Sequence, residues 1–289
     1  MLIDLQKITT RDGLILHGGV VWPKQKGRTA IILVHGLMGR FYTWFDRVAP
    51  LIAIAERQKI AVAAFNTRGN HVVSTYDTYG VKKKTKREVR GGACERFEEC
   101  VQDIRAMVDF FAQNGYSSII LAGHSTGANK VAYYLHKTND RRVKKLVLLS
   151  PISDPAVARR EYGGTLKAHL QSALRAVQRG DGDKLLMSTS SDPLLTPKRF
   201  LSLYTEGGSE DVFPYYNPKG NWHTMKNIRV PLLVVIGDHD PFLDRDAGEY
   251  MEAFQKHVRD FCGVIIAGAD HSYNKREKQL ARVVLRFVE

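Results

Sequence analysis

The fold is decided by residues 118–131, SIILAGHSTGANKV, in which an apolar run leads through a glycine-flanked serine into a helical pattern. The run at 118–123 has the length and composition of a strand that is buried on both faces. The pentapeptide GHSTG at 123–127 then joins this strand to a helix that continues to about residue 136. A G-x-S-x-G sequence in that context predicts a nucleophile elbow, a tight turn that projects the hydroxyl of Ser125 above the sheet.

Strand-like runs and helical patterns alternate on both sides of this segment. The N-terminal runs at 6–10 and 14–22 flank Asp12-Gly13, which is typical of a hairpin turn. Alternation of this kind predicts an α/β fold with a mostly parallel sheet that is flanked by helices. The other buried strands are predicted at 30–35, 60–66, 145–150, 232–237 and 263–267, and the helices at 95–114, 128–136 and 275–287.

Residues 154–229 interrupt the alternation, since they contain helical patterns at 165–177 and 197–204 but no clear buried strand. About 75 residues are too many for an ordinary connection between core strands. We therefore expect residues 1–153 and 230–289 to form the core. Residues 154–229 are expected to form a small helical insertion, which is either a structural extension or a lid over a site.

A serine nucleophile needs a histidine base and an acid that orients it, which follow in the order serine, acid, histidine in this kind of fold. His271 follows the predicted strand at 263–267 and is the candidate base. Asp240 is the candidate acid because it lies far enough beyond the strand at 232–237 to reach over the sheet edge. Asp238 is the rival, although its closeness to the strand favours a loop-capping role. Asp270, adjacent to the histidine, is interpreted as a turn residue.

Acyl transfer also needs two backbone donors for the oxyanion of the tetrahedral intermediate. The N–H of Thr126, directly after the serine, is the first candidate. The run at 30–35 leads into His35-Gly36-Leu37-Met38-Gly39, where Gly36 permits a tight loop and Leu37 is the second candidate donor. The residues expected to support these loops are His35, Gly36, Gly123, His124 and Gly127.

Aromatic and histidine side chains near these motifs are candidates for a substrate pocket. Each of the five aromatic residues is as compatible with core packing as with ligand contact, and His223 is interpreted mainly as a packing residue. The set is Phe41, Trp44, Tyr215, Tyr216, Trp222 and His223.

The motifs HGLMG, GHSTG, GDHD and GADHS occur in an order and spacing that resemble the α/β-hydrolase superfamily. This resemblance implies an eight-stranded, mostly parallel sheet with an antiparallel second strand, and a cap after the sixth strand. The segments NTRGNH at 66–71, Lys130 after the elbow, LSPISD at 149–154 and RFLSLY at 199–204 resemble a subgroup that includes fungal siderophore esterases. That narrower resemblance implies hydrolysis of a bulky or cyclic ester or lactone.

The formal net charge is +13, and residues 82–90, KKKTKREVR, hold its densest cluster. Such a charge is compatible with nucleic-acid binding. No zinc finger, RNP-like pattern or basic amphipathic helix is present, so no nucleic-acid partner is expected. The cluster follows the strand at 60–66, and we expect it either to steer an anionic substrate or to serve solubility alone.

Other features of the sequence restrict the class of protein. No apolar run approaches the roughly 18 residues of a transmembrane span, and no secretory signal is visible. Three cysteines, Cys94, Cys100 and Cys262, without CxxC spacing are typical of free thiols in a reducing compartment, which predicts a cytoplasmic location. No metal or organic cofactor is expected, and the oligomeric state is left open.

The sequence thus predicts a serine hydrolase that cleaves a small-molecule carboxylic ester through an acyl-enzyme. An amidase, a thioesterase or a carbon–carbon bond hydrolase would use the same three residues. An alternative of another class is a non-catalytic basic binding protein on a hydrolase scaffold.

Overall fold

The computed structural model describes residues 1–79, 85–185 and 194–289. Within these ranges, eight strands form one sheet and two form a separate hairpin. In chain order the strands are β1 (Asp4–Thr9), β2 (Ile15–Val21), β3 (Thr29–Val34), β4 (Ile60–Phe65), β5 (Ser74–Tyr79), β6 (Thr85–Arg90), β7 (Ser118–His124), β8 (Val143–Leu149), β9 (Leu232–Gly237) and β10 (Phe261–Ile266).

Helices cover both faces of the sheet. They are α1 (Tyr42–Arg47), α2 (Ala49–Ala55), α3 (Cys100–Gln113), α4 (Thr126–Thr138), α5 (Asp154–Tyr162), α6 (Leu166–Gln178), α7 (Pro197–Tyr204), α8 (His223–Lys226), α9 (Ala247–His257) and α10 (Glu277–Val288). Helices α3, α4, α6, α7 and α10 coincide with predicted helical patterns. Helices α1, α2 and α8 were not predicted, because helices of one or two turns are too short for a periodic pattern.

The large sheet has the strand order β1-β2-β4-β3-β7-β8-β9-β10. Strand β2 is antiparallel to both of its neighbours, and the remaining pairs from β4 to β10 are parallel. The prediction of a mostly parallel, eight-stranded sheet with an antiparallel second strand is therefore confirmed.

Strand β3 shows why the central strands are apolar along their whole length. Ala30, Ile32 and Val34 pack into the hydrophobic core on one face of the sheet, and Ile31 and Leu33 pack into the core on the other. Successive side chains of a strand point to opposite faces, so a strand covered on both sides has no position for a polar residue. This double burial holds the strands rigidly and fixes where their carboxyl ends lie.

The carboxyl ends of β3, β7, β9 and β10 meet at one edge of the sheet because these strands are parallel. Loops at that edge are where open α/β sheets build their sites. Helices α5 to α8 follow β8, the sixth strand of the large sheet, and belong to the predicted insertion at 154–229.

The connection between β4 and α3 differs from the expectation. No strand was predicted between residues 66 and 95, whereas β5 and β6 pair there as an antiparallel hairpin. Most side chains of β6 are exposed, and β5 buries only Tyr76 and Thr78, so neither strand has an apolar run. Lys86, Arg87 and Arg90 of the basic cluster lie on β6, while Lys82, Lys83 and Lys84 lie outside the described residues.

None of the helices described in the three ranges combines the length and the apolar character that crossing a membrane requires.

Candidate active site

Ser125 occupies a strained turn between β7 and α4. Its backbone has φ 54° and ψ −130°, a region that non-glycine residues seldom adopt. The turn is so tight that a Cβ on Gly123 would lie 2.2 Å from the carbonyl oxygen of Gly127. The Ser125 N–H donates to the carbonyl of Leu149 on β8 over 2.9 Å, which ties the turn to the neighbouring strand. Strain of this kind, held by a rigid sheet, is characteristic of functional turns.

His271 and Asp240 come together from the loops after β10 and β9. Nδ1 of His271 lies 2.7 Å from Oδ2 of Asp240. Since an ionised carboxylate only accepts hydrogen bonds, Nδ1–H is the donor and Nε2 carries a free lone pair. Asp240 is only 4% exposed, and its other oxygen accepts the N–H of Phe242 over 2.9 Å. These two contacts fix the orientation of the carboxylate and of the imidazole.

The two alternative acids make local contacts instead. Oδ1 of Asp238 accepts the N–H of Gly268 over 2.6 Å and so joins the loops after β9 and β10. Oδ1 of Asp270 accepts the N–H groups of Ser272 and Asn274, each over 3.0 Å. Both carboxylates therefore shape the backbone around His271 without contacting its ring.

The main chain of His271 is anchored by side chains from two central strands. Nε2–H of His124, on β7, donates to the His271 carbonyl over 2.7 Å, and the hydroxyl of Ser150, after β8, lies 3.1 Å from the same oxygen. Burial, and then the proximity of His271, lower the pKa of His124 to about 3. His124 is thus a neutral donor at physiological pH.

The loop after β3 packs directly under Ser125. A Cβ on Gly36 would lie 2.9 Å from Cβ of Ser125, so only glycine permits this approach. His35 holds the loop: its Nδ1 lies 2.8 Å from the Gly36 carbonyl, and its Nε2 accepts the N–H of Thr67 over 2.9 Å. Burial, and then the charge of Lys130, lower the pKa of His35 to about 4, so this ring is also neutral.

A cavity of about 490 Å³ opens at this point, and Ser125 and His271 both line it. Leu37 and Thr126, the two residues predicted to supply backbone donors, also lie on its wall. Its apolar side chains include Trp44, Ile152, Val157 and Phe242, and its polar ones include Arg47, Asp154, Glu161 and Tyr204. A space of this size accommodates a small organic molecule.

Of the six candidate pocket residues, Trp44 alone is among the described residues that line the cavity, so the other five assignments are corrected. Tyr215 and Trp222 are buried in the core, where their ring centroids are 5.4 Å apart. Phe41 packs edge-on against Phe45, the Tyr216 hydroxyl donates to Asp211, and the His223 ring packs against His136. These side chains are occupied by intramolecular packing.

Several cavity residues were not assigned a role from the sequence. Phe242 directly follows Asp240-Pro241, and its ring centroid is 4.7 Å from that of His271. Asp154 and Tyr204 stand at the ends of two motifs, LSPISD and RFLSLY, that carry the family resemblance. Arg47 lies at the end of α1 without any local signal.

A buried chain of charges connects helix α4 of the core to the insertion at 154–229. Nζ of Lys130 on α4 is 2.6 Å from Glu95, and the other carboxylate oxygen of Glu95 is 3.4 Å from Arg199 on α7. Arg199 forms a two-pronged pair with Glu210, one of whose contacts measures 2.9 Å. Burial would raise the pKa of Glu95, but the charges of Lys130 and Arg199 hold it below the usual value. The four charges compensate one another inside the protein.

Comparison with known proteins gives the family. A family model described as "Protein of unknown function (DUF1749)" matches residues 60–288. The chain belongs to the DUF1749 family. The matched range contains the elbow and the loops of Asp240 and His271, and it begins after the loop of His35 and Gly36. No curated protein matches the chain in sequence.

Solved structures resemble this DUF1749 member over almost its whole length. Est1E from Butyrivibrio proteoclasticus with bound ferulic acid has 18% identity and a TM-score of 0.67, with 97% of each chain covered. Siderophore hydrolase EstB from Aspergillus fumigatus has 16% identity and a TM-score of 0.65, covering 99% of this chain and 97% of EstB. Carboxylesterase CesB from Bacillus subtilis has 20% identity and a TM-score of 0.55, covering 100% of this chain and 92% of CesB. These likenesses confirm the α/β-hydrolase fold.

Among the described residues, no three His, Cys, Asp or Glu side chains are grouped as the ligands of a metal ion.

Proposed function

We propose that this protein is a serine hydrolase that cleaves a carboxylic ester of a small molecule through an acyl-enzyme. The observation that supports the proposal most strongly is a single cavity lined by both Ser125, on its positive-φ elbow, and His271, whose Nδ1 is fixed 2.7 Å from the buried Asp240. This arrangement matches the division of roles in a serine–histidine–acid triad.

The proposed reaction begins when Oγ of Ser125 attacks the ester carbonyl carbon and its proton passes to Nε2 of His271. Asp240 stabilises the resulting imidazolium through the Nδ1–H hydrogen bond. The N–H groups of Leu37 and Thr126 stabilise the oxyanion of the tetrahedral intermediate.

The intermediate then collapses as the C–O bond to the alcohol breaks and His271 donates its proton to the leaving oxygen. A water molecule, deprotonated by His271, attacks the acyl-enzyme by the same route. This second half of the reaction releases the carboxylic acid and restores Ser125.

Residues 154–229 are proposed to act as the cap of the site. Four side chains of this segment, Asp154, Val157, Glu161 and Tyr204, line the same cavity as Ser125. A cap in this position would exclude water from the acyl-enzyme and select substrates by shape. The fungal siderophore hydrolase EstB has a similar fold, and a bulky or cyclic ester is therefore the first substrate class to test.

The proposal is tested by turnover of p-nitrophenyl esters with the wild type, Ser125→Ala and Ser117→Ala. Ser117 is an exposed serine just before the opposite end of β7, so its variant controls for the loss of a hydroxyl. We expect Ser125→Ala to lose turnover to the background and Ser117→Ala to retain it. Equal turnover by Ser125→Ala and the wild type would overturn the proposal. A parallel panel of thioesters, lactones and anilides distinguishes an esterase from the other hydrolases that use this chemistry.

A further inference from the structure

Asp154 is a buried carboxyl in the cavity that the proposed reaction does not use. It is the first residue of α5, it is 7% exposed, and it lines the same cavity as Ser125 and His271. Its Oδ2 is buried and has no hydrogen-bond partner among the described residues. A buried polar atom without a partner is rare in folded proteins and calls for an explanation.

Helix capping does not account for this carboxyl. The first turn of α5 is capped by Ser153, whose Oγ accepts the N–H of Ala156 over 3.4 Å. An acidic residue in the first helical turn stabilises the helix dipole only as an anion. Burial, and then the negative charge of Glu210, raise the pKa of Asp154 to about 8 and so disfavour the anion at neutral pH.

The neighbouring cation, Arg199, does not restore the anionic form of Asp154. Arg199 lowers the pKa of Asp154, but its guanidinium is already paired with Glu210 and Glu95. Asp211 adds a further negative charge. The charged and titratable side chains that face Asp154 or share its cavity are Arg47, Glu161, Arg199, Tyr204, Glu210, Asp211 and the histidines His35, His124 and His271.

Resting on the proposed esterase function, we propose that the protonated carboxyl of Asp154 is a specificity-determining group that donates a hydrogen bond to an uncharged oxygen of the substrate, such as an amide carbonyl. A site built around a buried donor rejects analogues that lack the matching acceptor, because the donor is then left unpaired. A substrate carboxylate is disfavoured at this point since Glu210 and Asp211 already contribute negative charge.

The test uses p-nitrophenyl esters in matched pairs. The acids of one set are N-acetylglycine, N-acetyl-β-alanine and N-acetyl-4-aminobutyrate, which place an amide carbonyl at increasing distance from the ester. The other set has alkanoates of equal chain length. The measured quantity is the ratio of kcat/KM within each pair. The variants are Asp154→Leu, which removes the donor, and Asp154→Asn, which keeps a neutral donor of the same shape.

We expect at least one amide ester to have a ratio about tenfold higher in the wild type than in Asp154→Leu. The ratio in Asp154→Asn should stay within about threefold of the wild type. Asp181→Asn changes a partly exposed carboxyl of the same insertion that lies outside the cavity, and should leave every ratio unchanged. In the wild type the ratio should fall as the pH rises through about 8, whereas in Asp154→Asn it should be independent of pH.

Two results would overturn the assignment, and they are distinguishable. If the wild type hydrolyses the alkanoates but Asp154→Leu leaves every ratio unchanged, the specificity role of Asp154 is wrong while the esterase proposal stands. If no ester in either set is hydrolysed, the proposed function fails and this assignment fails with it.

Discussion

His124 and His35 show how single buried side chains hold the site in place. Each ring makes hydrogen bonds that require a neutral imidazole: His124 donates to the main chain of His271, and His35 accepts the N–H of Thr67. Protonation of His35 would remove that acceptor. The cavity's geometry therefore depends on two histidines that have no direct part in the proposed bond making.

Burial of these two histidines predicts an acid-sensitive fold. Their folded-state pKa values, about 3 and about 4, lie below the value near 6.5 of an unfolded chain, so the unfolded state binds more protons in acid. The stability they contribute is present above pH 6.5 and is lost as the pH falls. From pH 6.5 to 5, each histidine should reduce the free energy of unfolding by about 2 kcal/mol.

Urea denaturation at the two pH values checks this, with His124→Gln removing one of the two contributions. The decrease in unfolding free energy should be smaller in the variant than in the wild type by about 2 kcal/mol. An identical pH dependence in both proteins would contradict the assignment of His124 as a buried neutral ring.

The two acids after β9 give a second residue-scale prediction. Asp240→Asn should lower kcat by about 10⁴-fold, because an amide in this place favours the wrong tautomer of the histidine. Asp238→Asn should lower it far less, since Asp238 contacts the N–H of Gly268 and not the imidazole ring. Steady-state kinetics with one p-nitrophenyl ester compares them. A larger loss in Asp238→Asn would reverse the assignment of the acid.

Sequence was sufficient to predict which residues the fold brings to this cavity where the position follows from local context. Ser125 was predicted from a strand, a pentapeptide and a helix that are contiguous, and Asp240 and His271 from loops at strand ends; their catalytic roles remain predictions. Tyr215 and Trp222 were misassigned because nothing local distinguishes an aromatic ring in the core from one in a cavity. Asp154 ends the LSPISD motif, but its place in the cavity could not be predicted, since its isolation from partners arises only when distant segments pack together.

Among the elements, α7 connects the insertion to the core through Arg199. The guanidinium lies between Glu210 and Glu95, and Glu95 in turn pairs with Lys130 on α4. Each buried charge is costly in isolation and tolerable only when paired. The position of α7 over the core is therefore coupled to the integrity of this chain of charges.

Removing Arg199 should leave the buried carboxylate of Glu210 without a cationic partner among the described residues, and leave Glu95 with Lys130 as its remaining cation. We expect Arg199→Met to reduce the free energy of unfolding by about 3–5 kcal/mol. Lys198→Met on the same helix is the matched control, since Lys198 pairs with Asp183 at the surface, over 2.5 Å, and such pairs contribute at most about 1 kcal/mol. Equal losses in the two variants, measured by urea denaturation, would show that the buried pairing does not stabilise α7.

Elements with strong periodicity were predictable and weakly patterned ones were not. The six inner strands of the sheet were recognised because burial on one or both faces requires apolar runs or alternation. The edge strands β1 and β10 were also predicted, although half or more of their residues are exposed. The β5–β6 hairpin was not recognised, since β6 (Thr85–Arg90) is mostly exposed and β5 places only Tyr76 in the hydrophobic core. Helix α5 was missed although it supplies three of the cavity residues, Asp154, Val157 and Glu161.

At the scale of the whole molecule, the net charge of +13 matters through where its cations lie, and part of the densest cluster lies on the β5–β6 hairpin. Strand β6 leads to Gly92, whose N–H donates to the His71 carbonyl over 2.8 Å, and the His71 N–H donates to the Gly39 carbonyl over 3.4 Å. The base of the hairpin is thus bonded to the loop beside Ser125. Its exposed cations, Lys86 and Arg87, do not line the cavity, so any effect on substrate acts through the long-range field.

Such a field predicts a salt-dependent preference for acidic esters. At about 0.01 M ionic strength the screening length is near 30 Å, so the double variant Lys86→Gln/Arg87→Gln should lower kcat/KM for a carboxylate-bearing ester roughly twofold or more. The kcat/KM for an uncharged ester should be the same in the double variant and the wild type. The difference for the carboxylate-bearing ester should vanish at about 0.15 M ionic strength.

The matched control is Lys24→Gln/Arg57→Gln, which removes two exposed cations near the opposite edge of the sheet. This variant should leave kcat/KM unchanged for both esters. A loss of equal size for both esters in the hairpin variant would indicate that the cluster serves solubility alone.

The central claim is that Ser125 is an activated nucleophile, and covalent labelling tests it most directly. The protein is treated with diisopropyl fluorophosphate at pH 8, and its peptides are then mapped by mass spectrometry. The account predicts one adduct per chain, located on Ser125, absent from Ser125→Ala and strongly slowed in Asp240→Asn. An unmodified Ser125 in the folded wild type, or an equal adduct in Ser125→Ala, would contradict it.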